Sequence, residues 1–145
     1  MAEQGPPDAS AGIRRDVDLE FPAEEVWDLV ADGERWSDWL APVVDVRVEP
    51  GAGGRLVDDD GVVRRVAVDD VVPGRSVHFR WWPEDGGGPA SSVELRVIAR
   101  PSGSRLRVVE VLALASAGGA ARASAGWSTA LVRLGERASV TLVGC

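Results

Sequence analysis

The chain has 145 residues, 45% hydrophobic and 27% charged, with a formal net charge of −7. That length suits one domain with a sizeable core, and the acidic balance argues against nucleic acid, whose phosphates need clustered cations. No run approaches the roughly 18 apolar residues of a membrane span, so no membrane insertion is expected.

The N-terminus lacks a basic region followed by an apolar run and does not read as a secretory signal. The single cysteine, Cys145, can close no internal disulfide, so a cytoplasmic location is expected. All sixteen basic residues are Arg, and Tyr is absent. That bias reflects codon usage in a GC-rich genome and says nothing about mechanism.

Residues 1–12 are polar, Pro/Gly/Ser-rich and aperiodic, which predicts a disordered tail ahead of one domain over 13–145. Arg15, Val17, Leu19 and Phe21 then alternate with charged residues as a half-buried first strand. Pro22 suits the first turn of a helix, and Glu24 and Glu25 favour its positive end. Val26, Trp27, Leu29 and Val30 make that helix amphipathic until Asp32-Gly33. A second short helix carries Trp36, Trp39 and Leu40 and ends before Pro42.

From Val43 the period changes to two. Val44, Val46 and Val48 form one strand, and Arg55 to Val57 another after a Pro/Gly-rich turn. Asp60-Gly61 is a hairpin signal before the long strand Val62 to Val72. Ser76 to Trp82 follows, with Val77, Phe79 and Trp81 on one face. Pro83 to Ala90 is a loop too glycine-rich to hold one shape. Val93, Leu95 and Val97 mark the next strand, and Leu106, Val108, Leu112 and Leu114 the last, with Glu110 in their register. The final helix is expected over about Ala120 to Val140, with Trp127, Ala130, Leu131, Leu134 and Ala138 on one side.

One strand, two short helices, six strands and one long helix predict an α+β fold. Hairpin-length links make the sheet antiparallel, and its apolar face must curl over the last helix. That leaves an inner hollow if the lining side chains do not fill it.

Few residues carry chemistry. Gly51 to Gly54 sits between strands, not ahead of a helix, so it reads as a turn and not a phosphate loop. Asp58 to Asp60 lacks the alternating spacing and distant Glu of a calcium loop. His78 is the single histidine and alternates onto the outer face, so no Cys/His zinc site is built. No Gly-x-Ser-x-Gly elbow is present, and no catalytic residue, cofactor or metal ligand is assigned. Glu110 differs, because an unpaired charge among Leu106, Val108 and Leu112 would be costly. It pairs with an Arg, lies at a rim, or meets the polar head of a ligand. Of the Trp residues, Trp39, Trp81 and Trp127 are expected to touch the hollow.

Phe21 to Trp27, Trp39 to Pro42, Val72 to Trp81 and Gly126 to Leu134 together resemble the START-like, birch-pollen-allergen-like superfamily called SRPBCC. Within it they are most similar to small bacterial homologues of the activator of the heat-shock ATPase chaperone. The resemblance implies a helix-grip fold, a seven-stranded curved antiparallel sheet around a C-terminal helix with an apolar cavity between them. Its candidate lining is Trp39, Val68, Phe79, Trp81, Leu95, Val108, Glu110, Trp127 and Leu131. A non-enzymatic carrier or sensor of a small hydrophobic, lipid- or polyketide-like molecule is the first expectation. A cyclase-, aromatase- or hydrolase-like enzyme is the second, and a chaperone-linked or regulatory module with a protein partner the third.

Overall fold

The computed structural model describes residues 11–86, 90–112 and 126–136. Strand β1 (Ala11–Leu19) leads into helix α1 (Ala23–Ala31), a 3-10 turn (Gly33–Arg35) and the short helix α2 (Trp36–Trp39). Strands β2 (Val43–Val46), β3 (Gly53–Val57), β4 (Val63–Val72), β5 (Ser76–Pro83), β6 (Ser91–Arg100) and β7 (Gly103–Leu112) follow. Residues 126–136 are helical and are called α3. The strands form one seven-stranded sheet in the order β1-β7-β6-β5-β4-β3-β2, antiparallel throughout. This is the helix-grip architecture expected.

Short turns dictate that order, since β2 to β6 each pair with the next strand in sequence. At the β3–β4 turn, Asp58 accepts backbone N–H bonds from Asp60 and Val62 through its side chain. Gly61 completes the turn at φ 84°, a region that favours glycine. Only β1 pairs across a long sequence distance, lying along β7 with Ile13 opposite Glu110 and Val17 opposite Leu106. The strand begins earlier than the predicted one. Ala11 and Gly12 fall in the stretch expected to be a tail, yet they pair with Leu112 and Val111, whose backbone groups would otherwise lack partners there. Residues 1–10, the glycines at 87–88, Leu114 and Ala138 lie outside the described residues.

Alternation sorts the sheet's two faces. Leu56, Val66, Val68, Val77, Phe79, Trp81, Val93, Leu95, Val97, Leu106 and Val108 are all buried on the inner face. Against them α3 sets Trp127, Ala130, Leu131 and Leu134. The outer face carries ion pairs instead, among them Arg80–Asp69, Arg96–Glu94 and Arg107–Asp16. A register shift between Val68 and Asp70 bulges β4, and Asp69 takes the Arg80 guanidinium with both oxygens.

The two short helices close one end of the core. The Trp36 indole N–H donates to the Val30 carbonyl at 2.8 Å, and that of Trp39 to the Leu29 carbonyl at 2.9 Å. Both acceptors belong to the last turns of α1, where carbonyls run out of helical partners. Gly33 reads in the sequence as a helix stop, but its real constraint is space. A Cβ there would meet the Val46 carbonyl oxygen at 1.8 Å, so the turn packs on β2 only with glycine.

Two measurements follow from these contacts. Trp39→Phe keeps an aromatic ring but removes the donor and the pyrrole half of a buried indole, and should cost about 1–3 kcal/mol in denaturant unfolding with an unchanged slope. A loss under a few tenths would mean that the Leu29 carbonyl is satisfied without Trp39. The second concerns Asp18, whose carboxyl is held well below the usual range by hydrogen bonds from Arg105 and then Arg100. A depressed carboxylate stabilises the fold above its unfolded value of about 3.9 and loses that contribution as pH falls toward its folded value. Wild type should therefore exceed Asp18→Asn in stability at neutral pH, the gap narrowing below about pH 4. The pair is exposed, so the gap should also shrink in high salt. A gap unchanged by acid would remove Asp18 as its cause.

Candidate functional site

The inner face of the sheet contains one buried carboxylate. Glu110 is 2% exposed on β7, with apolar neighbours on both flanks, Val93 on β6 and Ile13 on β1. Its phase follows Leu106 and Val108, so strand alternation aims it into the core. Neither an arginine nor a rim position resolves its charge. Instead, Oε2 accepts the Trp81 indole N–H at 2.8 Å and Oε1 accepts that of Trp127, also at 2.8 Å. An indole nitrogen only donates, so both carboxylate oxygens act as acceptors.

The donors come from opposite layers. Trp81 stands on β5 between Val66 of β4 and Ser91 of β6, whereas Trp127 descends from α3. Their rings stack with centroids 5.7 Å apart and 29° between planes. Phe79 sets its ring edge-on to Trp81 at 5.4 Å, and Trp36 reaches Phe79 at 5.2 Å. Four aromatic rings thus run in file from α2 through β5 to α3.

Arg64 completes the surroundings. Its guanidinium lies 4.8 Å from the Trp81 ring centre, a cation–π geometry, and its Nε donates to Asp58 at 3.1 Å. The next residue, Asp59, pairs with Arg133 of α3 at 3.1 Å. The β3–β4 turn therefore braces Trp81 through Arg64 and fastens the helix through Arg133.

The nine candidate lining residues are all buried, none more than 8% exposed. Accessible surface includes the walls of any void that admits water, so these side chains fill the space between sheet and helix. Phe79, Trp81, Glu110 and Trp127 touch directly; Val68 sits opposite Phe79, and Leu95 opposite Val108. Trp39 is fully buried on α2, its indole N–H donating to the Leu29 carbonyl of α1. Leu131 reaches the surface side, lining an open hollow of about 460 Å³ between β1 and α3 together with Arg15, Val17 and Ser128. There Arg15 donates to the Ser128 hydroxyl. A second hollow, beside the 3-10 turn and β2, is walled by Asp32, Glu34, Asp45, Arg47 and Glu49. Among the described residues no cluster of His, Cys, Asp and Glu could hold a metal ion, and no helix is long and apolar enough to cross a membrane.

Two participants are absent from the sequence-based set. Trp36 and not Trp39 joins the aromatic file, though the spacing of three residues puts both on one helical face. Arg64 shares the phase of Val66 and Val68, which was the available signal that it points inward.

Comparisons with known proteins agree with this fold. The chain is similar to DynU16, a protein of the dynemicin biosynthetic locus, at 27% identity and a TM-score of 0.76, covering 90% of this chain and 47% of that one. It thus spans about half the length of DynU16. CalU16 from Micromonospora echinospora matches at 24% identity and a TM-score of 0.69, covering 92% of this chain and 78% of that one. Protein MLL2253 from Mesorhizobium loti, 18% identical with a TM-score of 0.72 over 87% of this chain and 95% of its own, shares the fold alone. No curated protein matches the chain. With the Activator of Hsp90 ATPase homolog 1-like protein family matching residues 20–138, the chain belongs to that family.

Proposed function

We propose that this domain binds a small, largely apolar molecule between the sheet and α3, as a cytoplasmic carrier or sensor and not as a catalyst. The observation that carries the proposal is the Glu110 carboxylate, buried and satisfied by two neutral indoles. Withdrawing a carboxylate from water is costly, and an apolar side chain of similar volume would serve a purely structural core as well or better. Retaining the acid makes sense where its partner is exchangeable. Trp127 fills the interior, and a guest that enters from the hollow between β1 and α3 takes its place. The place of DynU16 in a biosynthetic locus supports a small organic guest.

Catalysis would call for an acid or base aimed at open volume within reach of a substrate. Both oxygens of Glu110 are engaged, and Arg64 is bonded to Asp58, which favours binding over chemistry.

Native mass spectrometry of the purified protein, followed by titration with palmitate, 2-naphthol and naringenin, tests the proposal through Trp emission and melting temperature. At least one should bind one-to-one and raise the melting temperature, as any ligand of the native state must. Failure of all three, with nothing co-purifying, would sink it. Trp127→Ala should cost about 3–5 kcal/mol, as for a large buried aromatic. Trp127→Phe should fold and change the affinity of whichever compound binds; a folded variant with unchanged affinity would take Trp127 out of the site.

A further inference from the structure

We infer that Trp127 is a tethered occupant of a half-site built by Trp81 and Glu110, and that this half-site selects flat aromatic molecules bearing an N–H or O–H donor. The inference rests on the binding site proposed above and specifies the chemistry that it reads.

The half-site offers two things in fixed relation. The Trp81 ring supplies a face, on which the Trp127 ring lies at 5.7 Å and 29°. Glu110 Oε1 supplies an acceptor, which the Trp127 N–H meets at 2.8 Å. Neither depends on Trp127 for its position. Trp81 is held by strand pairing on both sides, by its own bond to Oε2, by the edge of Phe79 and by Arg64 over its ring. Glu110 is fixed between β6 and β1. The helix keeps other attachments too. Ala130, Leu131 and Leu134 are buried, Arg133 pairs with Asp59, and Ser128 accepts from Arg15. Removing the indole from the slot therefore leaves both the slot and the helix standing.

The slot then discriminates in two ways. An aliphatic chain cannot reproduce the stack. An aromatic guest without a donor leaves Oε1 unpaired in a site shut off from water, a loss that lowers affinity by roughly tenfold or more. A carboxylate or sulfonate head also fails, because it brings no proton to an oxygen that needs one. Aromatic alcohols and N–H heterocycles satisfy both conditions, and indole itself is the smallest faithful copy of the residue displaced.

The test uses the full chain carrying Trp127→Ala, titrated calorimetrically with indole, 1-methylindole and benzothiophene. Indole should bind one-to-one, raise the melting temperature, and bind at least tenfold more tightly than the other two. The preference should vanish when Glu110→Gln is added, since an amide N–H₂ can then face the ligand. Equal affinities for the three compounds, or a preference for indole that survives Glu110→Gln, would overturn the inference. Should Trp127→Ala not fold, the wild-type chain gives the answer by nuclear magnetic resonance. Saturating 2-naphthol should move the Trp127 indole N–H resonance strongly and leave that of Trp81 near its place, and an unmoved Trp127 resonance would overturn the inference. The two proposals fail separately. A wild-type chain that binds none of the test compounds loses the carrier function while the variant can still select indole. A wild-type chain that binds palmitate as well as 2-naphthol keeps the carrier function and loses the selectivity.

Discussion

A carboxylate that faces the inside of a curved sheet has to find donors there, because water is shut out and an unmet acceptor in a dry core costs more than a made bond returns. Glu110 finds two, one on the sheet and one on the helix. Apolar contact has no direction, so the stripe of Ala130, Leu131 and Leu134 alone would let α3 slide or roll over the sheet with little change in buried area. The bond from Trp127 limits that freedom. It adds to the restraint on the helix's rotation and position that Arg133–Asp59 and Arg15–Ser128 supply from outside. One buried acid thereby converts a greasy layer into a specified interface.

Its singularity depends on how the rest of the charge is distributed. The sheet's outer face is laced with ion pairs, in which Asp16, Asp18, Asp69, Glu84 and Glu94 each meet at least one Arg. Such exposed pairs add little stability one by one. They keep a broad sheet face wet and uninviting to a second sheet, and they leave the inner face free to be apolar. Against that background a single internal Glu, bonded to indoles and to no arginine among the described residues, departs from the pattern of those five acids.

Much of this is legible in the amino-acid sequence. Period-two alternation placed Phe79, Trp81, Val108 and Glu110 on the inner face, because strand geometry gives every second residue the same side. The hairpin signal at Asp60-Gly61 and the short links between the other strands point to the meander. The partners of Glu110 were not legible, since Trp81, Glu110 and Trp127 lie on three elements and no periodicity relates one element's phase to another's. Gly33 illustrates a different limit. In sequence it is a helix terminator like any other, and only the Val46 carbonyl standing where its Cβ would be shows what it permits. The β4 bulge is similar, because one extra residue at Asp69 is invisible until the pairing partner is known. The choice between Trp36 and Trp39 failed for a local reason, as two residues on one short helix can each lean toward a separate neighbour.

On the binding function proposed above, a filled interior changes what affinity means for the domain. A guest gains contact with Trp81 and Glu110 only after Trp127 gives up equivalent contacts, so the observed affinity is the difference between two similar sets of interactions. A guest matched to the indole in size and donor gains little beyond the exchange itself. A larger flat ring system would extend past the footprint of Trp127 and bury surface that the indole never covered. At roughly 25 cal/mol per Å² of apolar area, about 40 Å² of added ring surface contributes about 1 kcal/mol beyond the exchange. Occupancy by Trp127 would then act as a threshold, holding the site shut against small apolar solutes while yielding to molecules large enough to use the hollow and polar enough to satisfy Glu110.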